Sequence, residues 1–151
     1  MRFRGHMVRE GSWWAVFVPV LGVATQGRTR LDGYRMAADA IETMINKEIE
    51  VTIHPGPENT FELSAAEPAP LIAFMLRRLR RQEGLTLKEV AQRLGARSHN
   101  AYARYEQGRA MPSLEMLSRL VSAVLPDEDI VLSLSTPVRP PLRPSADTAG
   151  G

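Results

Sequence analysis

Residues 84–108, GLTLKEVAQRLGARSHNAYARYEQG, carry the densest structural instruction in the chain. Thr86 followed three residues later by Glu89 forms a capping box, because hydroxyl and carboxylate each satisfy a backbone N–H that the first turn of a helix leaves free. Val90, Ala91 and Leu94 give that helix a buried side, and Gly95 stops it. The next helix starts near Ser98, a suitable N-cap, and ends at Gly108. At about 100° per residue, Tyr102 and Tyr105 share one side with Glu106 beside them, and the bulk of the two rings marks that side as buried. Asn100, Arg104 and Gln107 lie together on the opposite side.

Working outward, Leu71, Ile72, Met75, Leu76 and Leu79 form an apolar helical stripe with Arg77, Arg78, Arg80 and Arg81 on the other faces. After Met111-Pro112-Ser113 a last helix runs through Leu114, Leu117, Leu120, Val121 and Val124. Four short helices punctuated by glycine and proline make a compact bundle whose middle pair has the layout of a helix-turn-helix. Charge singles out the same region. Residues 71–111 hold nine Lys and Arg against three acidic residues, a net +6, whereas residues 1–70 and 112–151 each carry −2 within a chain of +2. An arginine cluster can be a solvated helix face, but its coincidence with this layout points to nucleic acid.

The outward trio fits base readout in a major groove, where Asn100 or Gln107 can pair with two atoms of adenine and Arg104 with two of guanine. Arg97, Lys88, Arg109 and the arginines of the first helix are available for phosphates, and Ser98 and His99 border the same surface.

The first seventy residues read differently. Residues 2–9 and 12–18 are two β-runs joined across Glu10-Gly11, Val23 to Gln26 is a third short strand, and residues 51–54 and 60–63 are two more around Pro55-Gly56-Pro57. Thr29 opens a helix with Asp32 three residues on, and Leu31, Tyr34, Ala38, Ile41 and Ile45 give it one apolar stripe. The fold class is therefore α+β: a small antiparallel sheet with one packed helix, followed by an all-α helix-turn-helix domain. Alternation in the second strand buries one ring of Trp13-Trp14 and leaves the other at the surface, as core or as a partner site.

Residues 65–70, with two prolines and small side chains, are expected to be a linker between a 1–64 domain and a 71–135 domain. Residues 136–151 hold four of the eleven prolines and are expected to form a disordered tail. Before them Ile130, Leu132 and Leu134 alternate, either as a strand pairing between chains or as a cap on the helical core.

Several functions are excluded. The absence of cysteine rules out disulfides, thiol catalysis and cysteine-ligated zinc. The apolar run at 13–24 is broken by Pro19 and Gly22 and is too short to cross a membrane. His6, His54 and His99 are scattered, so neither metal nor cofactor is expected. Glu10, Glu62, Asp32, Asp39 and Glu42 do not converge as metal-dependent phosphoryl chemistry requires, and the chain has no nucleophile elbow or phosphate loop, so no catalytic residue is assigned.

Two resemblances add to this reading. Arg80, Gly84-Leu85-Thr86, Val90-Ala91, Leu94-Gly95, Tyr105-Glu106-Gln107-Gly108 and Pro112-Ser113 resemble the Cro/repressor-type helix-turn-helix family across residues 71–124. That resemblance implies that Arg80 and Glu106 are a structural pair rather than DNA contacts. Leu87 stands where many members have a phosphate-contacting glutamine, and the turn before the third helix is one residue longer. In the first half, Trp14-Ala15-Val16-Phe17-Val18-Pro19, Leu21-Gly22, Thr25-Gln26-Gly27, Thr29 and the helix through Ala37, Ala38 and Ala40 resemble the HicB antitoxin family. Val20 and Asp32-Gly33 depart from its pattern.

The second resemblance implies a partial ribonuclease H-like fold that binds and silences a small HicA-like mRNA-cleaving toxin. Together the two imply a cytoplasmic, non-enzymatic antitoxin that represses its own operon by binding operator DNA as a homodimer or higher homo-oligomer, with no membrane association. The alternative is a repressor whose first domain senses a small molecule.

Overall fold

The computed structural model describes residues 1–45, 48–136 and 139–143. The chain divides into two compact units, Met1–Pro68 together with the chain from Ser135, and Ala69–Leu134.

The first is the sheet unit. Its strands are β1 (Phe3–Glu10), β2 (Trp13–Val18), β3 (Val23–Gly27), β4 (Val51–Pro55) and β5 (Thr60–Ala65), arranged β3-β2-β1-β5-β4 with every pair antiparallel. Glu10 pairs with Trp13, so the first hairpin turns on Gly11-Ser12 rather than Glu10-Gly11, with Gly11 supplying the positive φ such a tight turn needs. Period-two alternation sends Phe3, Met7, Val16, Val18, Val23, Val51, Ile53, Phe61 and Leu63 to a single buried layer. Helix α1 (Arg30–Ile45) covers that layer.

Two local devices set the start of α1. Thr29 Oγ1 accepts from the Asp32 N–H at 3.1 Å, while the Asp32 carboxylate reaches back one residue further, accepting from the Arg28 N–H at 2.7 Å. A Cβ on Gly27 would lie 2.2 Å from the Gly33 nitrogen, so the end of β3 and the first turn of α1 touch backbone to backbone. This approach corrects the expected stripe. Gly33, Tyr34, Ala37, Ala38 and Ile41 are buried, whereas Leu31 is exposed, because contact through the two glycines turns the helix away from its side.

The other sheet face is open. It presents Arg4, His6 and Val8 of β1, Trp13, Ala15 and Phe17 of β2, Glu62 of β5 and His54 of β4, with the His6 and Phe17 rings stacked at 5.1 Å. The alternation divides the tryptophans: Arg28 lies over the Trp13 ring and Arg30, from α1, over Trp14.

Four helices build the helical unit: α2 (Ala69–Gln82), α3 (Leu87–Arg93), α4 (Asn100–Glu106) and α5 (Leu114–Val124). Leu71, Ile72, Leu76, Val90, Tyr102 and Leu120 form its fully buried centre. The expected linker at 65–70 is longer than the observed one. β5 continues to Ala65 and α2 begins at Ala69, because Pro70 stands in the first turn, where a missing N–H costs the helix nothing.

The expectation of a disordered tail also needs correction at one point. Leu142 and Ile53 exchange both backbone hydrogen bonds at 2.7 Å, because the outer edge of β4 offers unpaired groups to a returning chain. Arg143 approaches Glu50 at 3.6 Å on the same side. Residues 137–138 and 144–151 of that tail lie outside the described residues.

Candidate nucleic-acid interface

The interface is built on α3, α4 and the turn between them. Thr86 and Glu89 close a complete capping box, Thr86 Oγ1 accepting from the Glu89 N–H at 3.2 Å and the Glu89 carboxylate accepting from the Thr86 N–H at 2.7 Å. The Thr86 N–H and, second, the Thr86 hydroxyl, which also donates to Glu89 Oε2 at 2.7 Å, hold the Glu89 carboxyl below its ordinary range. At the far end Gly95 takes φ +70°, a conformation that a side chain disfavours, and turns the chain toward α4. Ser98 Oγ accepts from the Asn100 N–H at 3.2 Å, so the serine holds the first turn even though the helix proper begins at Asn100.

α4 presents two chemically distinct sides. Tyr102, Ala103, Tyr105 and Glu106 are buried, while Asn100, Arg104 and Gln107 are exposed. Gln107 stands just beyond the last helical residue, and the left-handed Gly108 (φ +66°) lets the Arg109 N–H return to the Arg104 carbonyl at 3.0 Å. Arg97, Ser98, His99, Lys88 and Arg109 are also exposed. All eight candidates thus sit on α3, α4 or the residues bordering them, with their side chains open to a ligand.

The buried side is fixed by charge. Arg80 of α2 grips Glu106 in two parallel bonds, Nε to Oε1 at 2.6 Å and Nη2 to Oε2 at 2.9 Å, and its remaining Nη1 donates to the Leu85 carbonyl at 2.7 Å. One guanidinium therefore ties three places together: the body of α2, the loop before α3 and the end of α4. The bonds from Glu106 raise the already high basicity of Arg80. Burial first, and the Glu106 carboxylate second, push the Tyr102 phenol far above the ordinary tyrosine range.

The remaining arginines divide into held and open ones. Arg93 Nη1 donates to the Ala123 carbonyl at 2.9 Å, joining α3 to α5, and Arg77 lies over the Phe74 ring. Arg81, by contrast, is exposed. A shallow, open groove between α3 and α5 is lined by Arg93, Leu94, Ser118, Arg119, Ser122, Ala123 and Pro126, a mixed polar and apolar surface.

Residue spacing did not expose how Arg104 is aimed. Its guanidinium lies 4.8 Å from the Tyr105 ring centre and Nη2 donates to the Tyr105 hydroxyl at 2.9 Å, so the ring orients a side chain that faces outward. The adjacent Arg-Tyr pair in the sequence is the signal that could have found it.

Residues 72–129 match the helix-turn-helix domain family. The match supports a DNA-binding helix-turn-helix in this region. The match takes in α3, α4 and α5 and all but the first turn of α2, so the helix-turn-helix is the centre of a four-helix module rather than an isolated motif. No curated protein matches the chain. Among the described residues no helix is long and apolar enough to cross a membrane, and no group of His, Asp and Glu side chains could hold a metal ion.

Proposed function

We propose that this protein is a cytoplasmic antitoxin and autoregulator, in which the helical unit binds the operator of its own operon and the sheet unit binds a small HicA-like mRNA-cleaving toxin. The observation that carries the DNA half is the two-sided α4: an exposed Asn100, Arg104 and Gln107 backed by a buried Arg80–Glu106 clamp. Such a helix meets the geometric demand of groove readout, a rigid rod whose outward side chains are donors and acceptors of the right length. Arg97, Lys88 and Arg109 supply phosphate contacts, which position the helix without reading sequence.

For the toxin half, the support is the open face of the sheet. Trp13 and Val8 are both exposed there, with Ala15 and Phe17 half-buried between them, a patch suited to another protein surface. The sheet unit acts by occlusion and carries no catalytic role; metal-dependent cleavage of RNA or DNA by the highly purified chain would contradict that. A module this small contacts too little DNA to be selective, so the DNA-bound form has at least two copies reading half-sites about 34 Å apart.

The test is an affinity pull-down of the tagged full-length chain from its native host at low and high salt, with the stoichiometric species identified by mass spectrometry. A small basic protein that survives high salt, and is lost when residues 1–64 are deleted, is the expected result. Recovery of only this chain and DNA, from cells that express the neighbouring genes, would remove the antitoxin half and leave the regulator.

A further inference from the structure

The helical unit holds a second concentration of positive charge away from the surface assigned to DNA. It lies in the groove between α3 and α5, about 480 Å³ in volume and within the range of small-molecule sites. None of the eight residues placed on the DNA surface lines it. Arg93, which does, stands five positions after Lys88 and so about 140° round α3 from it. Two guanidiniums enter from opposite walls and cross. Arg93 of α3 donates to the Ala123 carbonyl of α5 at 2.9 Å, and Arg119 of α5 reaches the Leu94 carbonyl at the end of α3 at 3.5 Å.

Neither arginine has a carboxylate partner among the described residues, and no acidic side chain lines the groove. Arg93 acts on the charge of Glu89, one turn back on α3, but that carboxylate is already spent on Thr86. Each guanidinium carries five N–H donors and gives one to a carbonyl, so most of its donor capacity remains. The carbonyls so covered stand near helix C-termini, where they would otherwise repel an anion. Ser118 and Ser122, one turn apart on α5, add two exposed hydroxyls, and Leu94, Ala123 and Pro126 supply an apolar wall. Two cations that share a groove without a carboxylate form an arrangement that an anion completes.

We infer that this groove binds the phosphate group of a small organic phosphate, with Arg93 and Arg119 on the phosphate oxygens, Ser118 and Ser122 beside them, and the carbon part of the ligand against the apolar wall. Phosphate is selected over carboxylate by the direction of the donors. They arrive from two helices on opposite walls, and a tetrahedral phosphate offers oxygens in several directions where a carboxylate offers two in one plane. A free ligand is selected over the DNA backbone because the groove shares no residue with the reading surface. A ligand held there joins α3 to α5 as the Arg93 bond already does, and so braces the helix that precedes α4. The inference does not depend on the toxin half of the proposed function.

Nuclear magnetic resonance titration of the isotope-labelled full-length chain with phenyl phosphate, at ionic strength held constant with sodium chloride, tests it. The expected result is saturable movement of the amide signals of Arg93, Ser118, Arg119 and Ser122, with those of Lys88, Arg97 and Arg109 unmoved. Arg119→Gln should weaken that binding about 10-fold, since a charged hydrogen-bond donor is lost, and Ser122→Ala by a smaller factor. Both side chains are exposed, so far-UV circular dichroism of each variant should match the wild type. Benzoate, a carboxylate on the same ring, should bind at least about 10-fold more weakly than phenyl phosphate. At the same salt, Arg119→Gln should bind DNA as the wild type does. Movement that does not saturate, that is unchanged by Arg119→Gln, or that centres on Lys88, Arg97 and Arg109 overturns the site. Benzoate binding as tight as phenyl phosphate overturns the assignment of phosphate. A loss of DNA affinity in Arg119→Gln would give the groove to the DNA backbone and overturn the small ligand.

Discussion

The two units solve one problem, the seating of a helix, by opposite means. In the sheet unit α1 approaches by omission: Gly27 and Gly33 carry no side chains where β3 meets the helix, and backbone lies on backbone. In the helical unit α4 is seated by addition, a guanidinium and a carboxylate buried together at 2.6 Å and 2.9 Å. Steric seating fails gradually as neighbours adjust, whereas a buried ion pair that loses one member leaves the other charge stranded in a poor solvent. The comparison predicts that the helical unit is the more brittle.

The sharpest way to break that contrast is at Glu106. Glu106→Ala should cost about 3 to 5 kcal/mol, because Arg80 stays buried without its partner. Both tryptophans, Trp13 and Trp14, are in the sheet unit, so their fluorescence reports that unit alone. Loss of helical circular dichroism and of DNA binding, with the tryptophan transition unmoved, is the expected pattern. Arg80→Met combined with Glu106→Leu should recover most of the stability, since neither charge is then left alone. A single variant that unfolds no earlier than the wild type would show the clamp to be incidental.

Gly27→Ala probes the other side of the comparison and should cost about 1 to 3 kcal/mol, because the added Cβ would lie 2.2 Å from the Gly33 backbone nitrogen and the sheet and α1 must part by about an ångström to admit it. Here the tryptophan transition should fall while DNA affinity is kept. If Gly27→Ala lowered both transitions equally, the two units would unfold as one and the contrast between them would have no meaning.

What could be read in advance follows the same division. Helix ends in the second unit are dictated by local chemistry, so Thr86, Glu89 and Gly95 are found where the residues alone place them, and the outward trio on α4 follows from side-chain period. Strand alternation is equally local, and Trp13 to Val18 shows it. The missed features depend on distant partners. Leu31 has the right spacing for the core stripe but is exposed, because the decisive contact is between two glycines that no hydrophobic pattern weights. Pro70 looks like a linker residue and is a helix residue, since its meaning changes with its place in the first turn. Leu142 pairs with Ile53 across a sequence distance that no periodicity spans.

Base readout sharpens the comparison within α4 itself, between its clamped side and its reading side. Asn100→Ala and Arg104→Ala should each cost about 1 to 3 kcal/mol on the specific site and little on random DNA. Equal losses on both, measured by titration at fixed salt, would assign them to phosphates. Tyr105→Phe should weaken specific binding less, by about 0.5 to 1.5 kcal/mol, because it removes only the hydroxyl that steadies Arg104.

Acid should separate the units more gently. On the open sheet face His54 shares a hydrogen bond with Ser64 Oγ at 2.8 Å, and burial, aided by the Arg2 charge, holds its imidazole below the ordinary value. Burial opposes ionisation of Glu62, but hydrogen bonds from Ser135 and Arg2 outweigh it and hold that carboxyl low as well. A histidine whose folded pKa is depressed binds its proton more readily when unfolded, so its contribution is present above the ordinary pKa of 6.5 and is lost as pH falls below it. Glu62 follows with the same sign at lower pH, as pH drops through the ordinary carboxylate range. In the helical unit the shifted groups do not titrate between about pH 7.5 and 5.5: Arg80 and Tyr102 lie far above that window and Glu89 below it. The tryptophan-detected midpoint should therefore sink slightly across that range, and His54→Gln should flatten it. A midpoint as pH-dependent in His54→Gln as in the wild type would move the effect to another group on the sheet.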